Sequence, residues 1–162
     1  MAKPASQRQR PQIGDVIEIE TPRGLAYAQY THEHREPPRM GSLLRVLPGF
    51  HETRPSDFAT LVEHEEIFSV FFPLGPALNR GIVRIAAKEP VPPRKQQFPL
   101  FRSRNSRLGG QWWIWDGCGH SRPAQLGERG TPGAVYAIWN DTMLVHRITE
   151  GWRPSDDDDY DE

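Results

Sequence analysis

One run of aromatic residues constrains the fold more than any other stretch: Gly110-Gln111-Trp112-Trp113-Ile114-Trp115-Asp116-Gly117 holds three of the chain's five tryptophans. Side chains alternate between the two faces of a strand, so Trp112 and Ile114 share one face and Trp113 and Trp115 share the other. Two uncovered tryptophans would expose about 300–500 Å², which is the size of the largest patch on a typical monomer. Either the fold or a partner must therefore cover Trp113 and Trp115.

Burial by the fold is favoured, because covering one tryptophan is worth up to about 4–6 kcal/mol at about 25 cal/mol per Å². The predicted cover is a C-terminal helix that Asn140 or Asp141 would cap and Gly151 would end. Its apolar stripe consists of Leu144, Val145, Ile148 and Trp152. We therefore expect this helix to lie over the second tryptophan face.

Composition places the chain among single-domain, turn-rich proteins. At 162 residues it is one domain by size, and 16 prolines with 14 glycines predict many turns and few long helices. The single cysteine, Cys118, cannot form an internal disulfide, which favours a reducing compartment. The N-terminus lacks the apolar segment of a signal peptide, and no run approaches the ~20 apolar residues of a membrane helix. These features predict a soluble, cytoplasmic protein.

Alternating apolar residues and turn signals predict seven or eight short strands. The clearest are 13–20, 25–30, 41–47, 67–72, 81–86, 112–115 and 134–139. Charged or irregular loops are expected at 32–39, at 74–80 and at the basic stretch 102–107. A second short helix is expected from Phe58, with Ser56 as its N-cap. The predicted fold is therefore mainly β (α+β): a strongly twisted antiparallel sheet or a partly open small barrel of seven to eight short strands, with two short helices.

Charge is distributed unevenly along the chain. The net charge is −1, yet six of the residues 156–162 are acidic, so the rest carries a net charge of +5. Blocks of like charge repel one another and remain solvated. We predict a flexible N-terminal arm at 1–12, a single domain at 13–153 and a disordered acidic tail at 154–162.

Metal and catalytic motifs are weak. The segments His32-Glu33-His34 and Cys118-Gly119-His120 each offer two candidate ligands, but structural zinc needs four ligands and catalytic zinc three. No nucleophile elbow, phosphate-binding glycine loop or His-Glu-x-x-His motif is present. The sequence therefore predicts no catalytic residue, no metal and no cofactor. A small hydrolase that uses Cys118 with His120 as its base is kept as the second alternative.

The first alternative function is that of a nucleic-acid-binding β-barrel module. Basic residues that lead into the tryptophans would suit a single strand, because arginines and aromatic rings together stack bases and neutralise phosphates. The arginines nearest to the tryptophans are Arg102, Arg104 and Arg107. A nucleic-acid-binding domain is expected to have a pI above ~9, whereas this chain has a pI of about 6.6. Charge therefore argues against a nucleic-acid partner.

Six short stretches, taken in order, carry a resemblance to a known family. They are 13–19 (IGDVIEI), 25–29 (LAYAQ), 80–85 (RGIVRI), 113–117 (WIWDG), 122–124 (RPA) and 137–141 (AIWND). Together they resemble the immunity protein 26 family of bacterial polymorphic toxin systems. The resemblance implies a small, mainly β domain and a cytoplasmic antidote that binds its cognate toxin. The resemblance implies no catalytic site and no metal site.

The leading prediction is a non-enzymatic, protein-binding immunity protein that blocks a cognate toxin sterically. Interfaces draw much of their binding energy from Trp, Tyr and Arg side chains, so exposed residues of these types near the aromatic run are candidates. The predicted contact residues are Arg102, Arg104, Trp113, Trp115 and His34. No membrane partner is expected, and the oligomeric state is left open.

Overall fold

The computed structural model of the chain describes residues 9–104 and 109–156. In these ranges nine strands form one open, mixed sheet in the order β5-β1-β2-β3-β4-β9-β6-β7-β8. The strands are β1 (Asp15–Thr21), β2 (Gly24–His34), β3 (Gly41–Val46), β4 (Phe68–Phe72), β5 (Val83–Lys88), β6 (Phe101–Arg104), β7 (Trp112–Trp115), β8 (Arg122–Pro123) and β9 (Ala134–Ile138). Because β5 and β8 lie at opposite ends of the order, the sheet does not close into a barrel.

Three short α-helices accompany the sheet in the described ranges. They are α1 (Phe58–Leu61), α2 (Leu74–Asn79) and α3 (Asp141–Thr149). Asn140 caps α3 by accepting a hydrogen bond from the Met143 N–H, and Gly151 follows its end with φ of +69°, as predicted for this helix. None of these helices is both long and apolar enough to cross a membrane.

The mainly β prediction is confirmed, with differences that arise from long-range pairing. The sheet is mixed and not wholly antiparallel, because β9 lies parallel to both β4 and β6. The sequence also predicted one helix too few, since α2 forms where a loop was expected. The charged loop predicted at 32–39 begins later, because β2 continues to His34 by pairing with β3. Asp57, and not Ser56, caps α1 by accepting a hydrogen bond from the Thr60 N–H.

Both faces of the sheet are covered where β4 and its neighbours cross the middle of the molecule. On one face, Leu144 and Ile148 of α3, together with Trp152 three residues after its end, pack against a large core that includes Val70 and, at its margin, Val135; we call this side of the sheet the α3 face. On the opposite face lies a separate aromatic cluster, composed of Leu43, Phe71, Phe101 and Trp115. A third cluster packs α1 against the outer strands with Tyr27 and Leu47. Every residue of β4 is buried, as expected for a central strand.

The two predicted flexible ends lie only partly in the described ranges. Residues 1–8 and 157–162 fall outside them, as does 105–108 between β6 and β7. Within the predicted arm, the Gln12 N–H donates to Asp15 Oδ2 at 2.8 Å. Within the predicted tail, Pro154 is buried and residues Pro154–Asp156 form one turn of 3-10 helix, so the packed structure extends to this point.

Candidate functional site

The aromatic run forms the strand β7, which lies one strand from the end of the sheet. Its residues pair with β6 on one side, in the register Trp115 to Phe101, Ile114 to Arg102 and Trp112 to Arg104. On the other side they pair with the two-residue strand β8. The two faces of β7 differ in character.

Trp115 lies in the aromatic cluster and is only 3% exposed. Its ring centroid lies 4.8 Å from that of His34, 5.3 Å from Tyr136 and 5.7 Å from Phe101. Trp113 shares this face of the strand and is half-buried opposite Ser103 and Pro123. The fold therefore covers Trp115 almost completely and Trp113 in part.

The cover of Trp115 is not the predicted one. The α3 helix packs on the opposite face of the sheet, and there the ring of Trp152, which follows the helix, contacts the ring of Phe68. Phe98, Phe71 and His34 cover Trp115 instead. The prediction of α3 as the lid was wrong because the parallel placement of β9 carries the following helix to the other face.

His34 belongs to the same aromatic cluster and is 7% exposed. Its Nδ1 accepts a hydrogen bond from the Met40 N–H at 3.3 Å, so the proton of the neutral ring lies on Nε2, which donates to the Gly117 carbonyl at 2.8 Å. These bonds tie the end of β2 to the turn after β7. His34 and Trp115 are thus placed as core residues, and in this conformation they offer almost no surface to a partner.

The other face of β7 carries Trp112, which is half-buried beneath arginine side chains. The Arg102 guanidinium carbon lies 3.6 Å from the Trp112 ring centroid, and that of Arg104 lies 5.5 Å away. Such cation–π contacts are worth roughly 0.5–1 kcal/mol each at exposed sites. They favour conformations in which two predicted contact residues, Arg102 and Arg104, lie over one ring.

Register shows that these arginines lie on the α3 face of the sheet. Arg102 pairs with Val135 in the neighbouring parallel strand, and Val135 pairs with Val70. Residues in register on adjacent strands point to the same side, and Val70 and Val135 pack in the core beneath α3. The α3 face is therefore apolar in its middle and carries arginine and tryptophan toward the β7 end.

Trp112 and Arg102 form one wall of a surface cleft of about 380 Å³. The opposite wall is the loop 124–129, in which Leu126 is fully exposed and Arg129 is exposed. We call this feature the arginine–tryptophan cleft: Arg102, Gln111, Trp112 and residues 124–129. Trp112, Leu126 and Arg129 were not among the contact residues predicted from the sequence. Only the strand register reveals that Trp112 lies under the two predicted arginines.

The loop wall of the cleft is held by an ion pair. Arg122 donates from Nη1 and Nη2 to the two carboxylate oxygens of Glu128, at 2.6 and 2.7 Å. The Gln125 N–H also donates to Glu128, and the Glu128 N–H donates back to the Gln125 carbonyl. Bidentate pairs of this kind fix direction as well as distance, so the loop 124–129 presents Leu126 on a braced turn.

Glu128 is expected to titrate far below the ordinary range. Hydrogen bonds from Arg122, and then from the Gln125 N–H, lower the pKa of the carboxyl from 4.5 to about 2. Because the folded pKa lies below the unfolded one, the stabilisation is complete above about pH 4.5 and is lost as the pH falls through about 2.

Replacing Glu128 with Gln should flatten the pH dependence of stability in this interval, as measured by urea unfolding at each pH. A Glu128 carboxyl that titrates near pH 4.5 by NMR would contradict this expectation.

The residues considered for metal binding and catalysis are separated by the fold. Among the described residues, no three or more His, Cys, Asp or Glu side chains converge on a position for a metal ion. His32 and His34 lie on β2, and the His32 Nε2 donates to the Gln96 carbonyl at 2.8 Å. Burial lowers the pKa of His32. Cys118 and His120 are both exposed in the turn after β7, where the Cys118 N–H donates to Asp116 Oδ1.

A wider groove, of about 800 Å³, lies at the carboxyl ends of the parallel strands β4 and β9. Phe72, Leu74 and Ile138 line it, together with Arg35 and Arg39 from the loop after β2. Arg39 is exposed and lies outside the arginine–tryptophan cleft. It therefore provides a matched control for arginine substitutions in that cleft.

Of the five predicted contact residues, the structure places Arg102, Arg104 and Trp113 near the end of the sheet with exposed or half-buried side chains. His34 and Trp115 lie in the core, and Arg107 of the predicted basic loop lies outside the described residues. No protein-family model matches the chain, and neither a curated protein nor a solved structure shows significant similarity to it.

Proposed function

We propose that this protein is a non-enzymatic immunity protein, which neutralises a cognate bacterial toxin in the cytoplasm by binding through the arginine–tryptophan cleft. The observation that carries the proposal is the juxtaposition of half-buried Trp112, stacked under Arg102, with the fully exposed Leu126. Tryptophan and arginine are the residues most enriched at the energetic centres of protein interfaces. The resemblance to immunity protein 26 supplies the expected class of partner.

Pre-organisation supports this use of the cleft. Binding costs roughly 0.5–1.5 kcal/mol for each long side chain that must be ordered, and Arg102 is already held over Trp112. The Arg122–Glu128 pair similarly braces the opposite wall. A partner would therefore meet a surface whose anchors are in place, and inhibition would follow from steric coverage of the toxin's own functional surface.

The test is purification of partners with the full chain as bait, followed by affinity measurement with the toxin domain identified by mass. Hot-spot truncations cost about 2 kcal/mol or more, so Trp112→Ala and Arg102→Gln should each weaken the complex at least tenfold. Arg39→Gln is the matched control and should leave affinity unchanged. Neutralisation of the toxin is measured separately, as the survival of cells that express it.

Two results would overturn the proposal in different ways. Equal affinity of the wild type, Trp112→Ala and Arg102→Gln would remove the cleft from the interface. A bound toxin that remains fully active in the complex would remove the immunity function. Thermal unfolding of each variant separates either result from a loss of folded protein.

The stacking of Arg102 on Trp112 also favours a second candidate, the nucleic-acid-binding module. An aromatic ring flanked by arginines provides a stacking platform for bases and a positive surface for phosphates. This candidate predicts that a labelled single-stranded oligonucleotide binds with a steep dependence on salt, and that Arg102→Gln lowers the salt slope by about one. Failure to bind at low salt would dispose of it.

A further inference from the structure

The wider groove at the carboxyl ends of β4 and β9 lies outside the arginine–tryptophan cleft and takes no part in the proposed function. Its volume of about 800 Å³ falls in the range of about 300–1,000 Å³ that is usual for small-molecule sites. Such sites are mostly apolar and contain a few fixed polar groups. The lining of this groove has both features, and its polar groups carry charges of both signs.

The apolar part of the lining comes from β4, β9 and the residues that follow or precede neighbouring strands. Phe72 and Leu74 line the groove from the core, since both are almost fully buried. Ile138 is 52% exposed and is one of the few exposed large apolar side chains in the described ranges. Met40 is half-buried in the same lining. A ligand that covers Ile138 and Met40 would remove apolar surface from water, which is favourable.

Glu33 provides a carboxylate that the fold holds in place on the wall of the groove. The hydroxyl groups of Tyr30 and Ser42 both donate to Glu33 Oε2, at 2.6 and 2.8 Å, and both of these residues are buried. Glu33 itself is exposed, and its Oε1 has no hydrogen-bond partner among the described residues. One oxygen of a positioned carboxylate is therefore available to a cationic group.

Arg35 provides a positive charge near this carboxylate. It lies two residues after Glu33, so the two backbone positions are at most about 7 Å apart. Burial and the interaction with Glu33 raise the pKa of Tyr30, and the charge of Arg35 opposes this shift, which places Arg35 within electrostatic range of the Tyr30 hydroxyl. Arg35 is exposed and makes no ion pair with a described residue. A carboxylate and a guanidinium thus lie close together, and each can take a further partner.

We propose that this groove binds a short apolar peptide with free termini, in the simplest case a dipeptide. The ammonium group of the peptide donates to Glu33 Oε1, its carboxylate accepts from the Arg35 guanidinium, and its side chains pack on Ile138 and Met40. Spacing favours a dipeptide over a single amino acid. A single carbon separates the two charged groups of an amino acid, whereas the termini of an extended dipeptide lie up to about 7 Å apart, which matches the separation of Glu33 and Arg35.

The expected affinity is modest, because the groove is open and the ligand is small. Leucyl-leucine has about 17 non-hydrogen atoms, and at the efficiency usual for small ligands its Kd is about 0.2 mM. Hydrogen bonds to charged groups contribute more than neutral ones, although exposure reduces the gain. Removing either terminal charge of the peptide should therefore weaken binding about fivefold, and added salt should weaken the binding of the dipeptide.

The test is an NMR titration of the full chain with leucyl-leucine at pH 6.5, where the amine of the peptide is protonated. We expect the methyl signals of Ile138 to shift as the peptide binds. Three related probes each remove one feature of the ligand. N-acetyl-leucyl-leucine lacks the ammonium group, leucyl-leucinamide lacks the carboxylate and glycylglycine lacks the apolar side chains. Each of them should bind about fivefold more weakly than leucyl-leucine, or weaker still.

Matched variants assign each charge of the ligand to its partner. In Glu33→Gln, which keeps an acceptor for the two hydroxyl groups, leucyl-leucine and its N-acetyl analogue should bind equally. In Arg35→Gln, leucyl-leucine and its amide should bind equally. The controls are Glu20→Gln and Arg84→Gln, because these two residues form an exposed pair on β1 and β5 outside the groove. Both control variants should bind all four probes as the wild type does.

Three results would overturn the inference. They are the absence of binding up to about 10 mM leucyl-leucine, which is about fifty times the expected Kd, equal affinity of the wild type for leucyl-leucine and its two charge analogues, and signal shifts confined to the arginine–tryptophan cleft. Unchanged binding of leucyl-leucine to both Glu33→Gln and Arg35→Gln would overturn it as well. The titration uses no toxin, so its outcome is independent of the proposed function.

Discussion

Replacing Arg45 with alanine is expected to lower the free energy of unfolding by about 3–5 kcal/mol, the usual cost of removing one partner from a buried ion pair. Arg45 lies on β3 and is 1% exposed. Its guanidinium donates to Gln29 Oε1 at 2.9 Å, to the Val62 carbonyl at 2.5 Å and to the His64 carbonyl at 2.9 Å. One side chain therefore ties β2 to the end of α1.

The charge of Arg45 is balanced within the same buried network. Its Nη1 lies 3.5 Å from Glu66 Oε2, and Lys95 Nζ lies 3.0 Å from the same carboxylate. Burial lowers the pKa of the Arg45 guanidinium, and Glu66 opposes that shift. In the alanine variant the two backbone carbonyls and the Gln29 amide would lose their donors, while Glu66 would lose its fully buried cation and keep only the partly exposed Lys95.

Equilibrium unfolding in urea at pH 7 measures this loss. The matched control is Arg84→Ala, because Arg84 is an exposed arginine 3.8 Å from the exposed Glu20, and exposed pairs contribute about 0–1 kcal/mol. If Arg45→Ala leaves too little folded protein to measure, Arg45→Lys keeps the charge and should cost an intermediate amount. Equal losses for Arg45→Ala and Arg84→Ala would refute the expectation.

Replacing Trp115 with alanine is expected to cost a similar amount, about 3–5 kcal/mol, because it empties the centre of the aromatic cluster. The ring of Trp115 lies within 6 Å, centroid to centroid, of His34, Phe98, Phe101 and Tyr136. Removing it leaves these rings without a common neighbour. The hydrogen bond from His34 to the Gly117 carbonyl would lose the packing that holds it in place.

Trp112→Ala is the matched control for Trp115→Ala, because both residues lie on β7 and point to opposite faces. Trp112 is half-buried, so its removal should cost about 2 kcal/mol, roughly half the burial energy of a tryptophan. Urea unfolding measures the stability of each variant, and titration with the toxin measures its binding. We expect Trp115→Ala to lower mainly the free energy of unfolding, and Trp112→Ala to lower mainly the affinity for the partner. The reverse pattern would contradict the assignment of the two faces.

The strands and helices whose pattern is set by residues adjacent in the sequence were predicted with near-correct bounds. β1, β4, β7 and β9 follow the alternation of apolar side chains, and α3 follows its 3.6-residue period and its Asn140 cap. These patterns are local because each strand or helix displays its own buried face. α2 was missed because Gly75 and Pro76 lie within its first turn, where composition indicates a loop.

The sequence by itself predicted that β7 would bury a tryptophan face, because covering each ring is worth several kcal/mol. Only the tertiary structure decided which side chains provide the cover and which tryptophan remains accessible. The decisive step is the parallel pairing of β9 between β4 and β6, which brings together residues more than thirty positions apart. Because of that pairing, α3 lies on the face opposite Trp115, and His34 and the phenylalanines cover Trp115 instead. The same pairing places Trp112 beneath Arg102. Such contacts depend on register between distant strands, which alternation within any one strand does not encode.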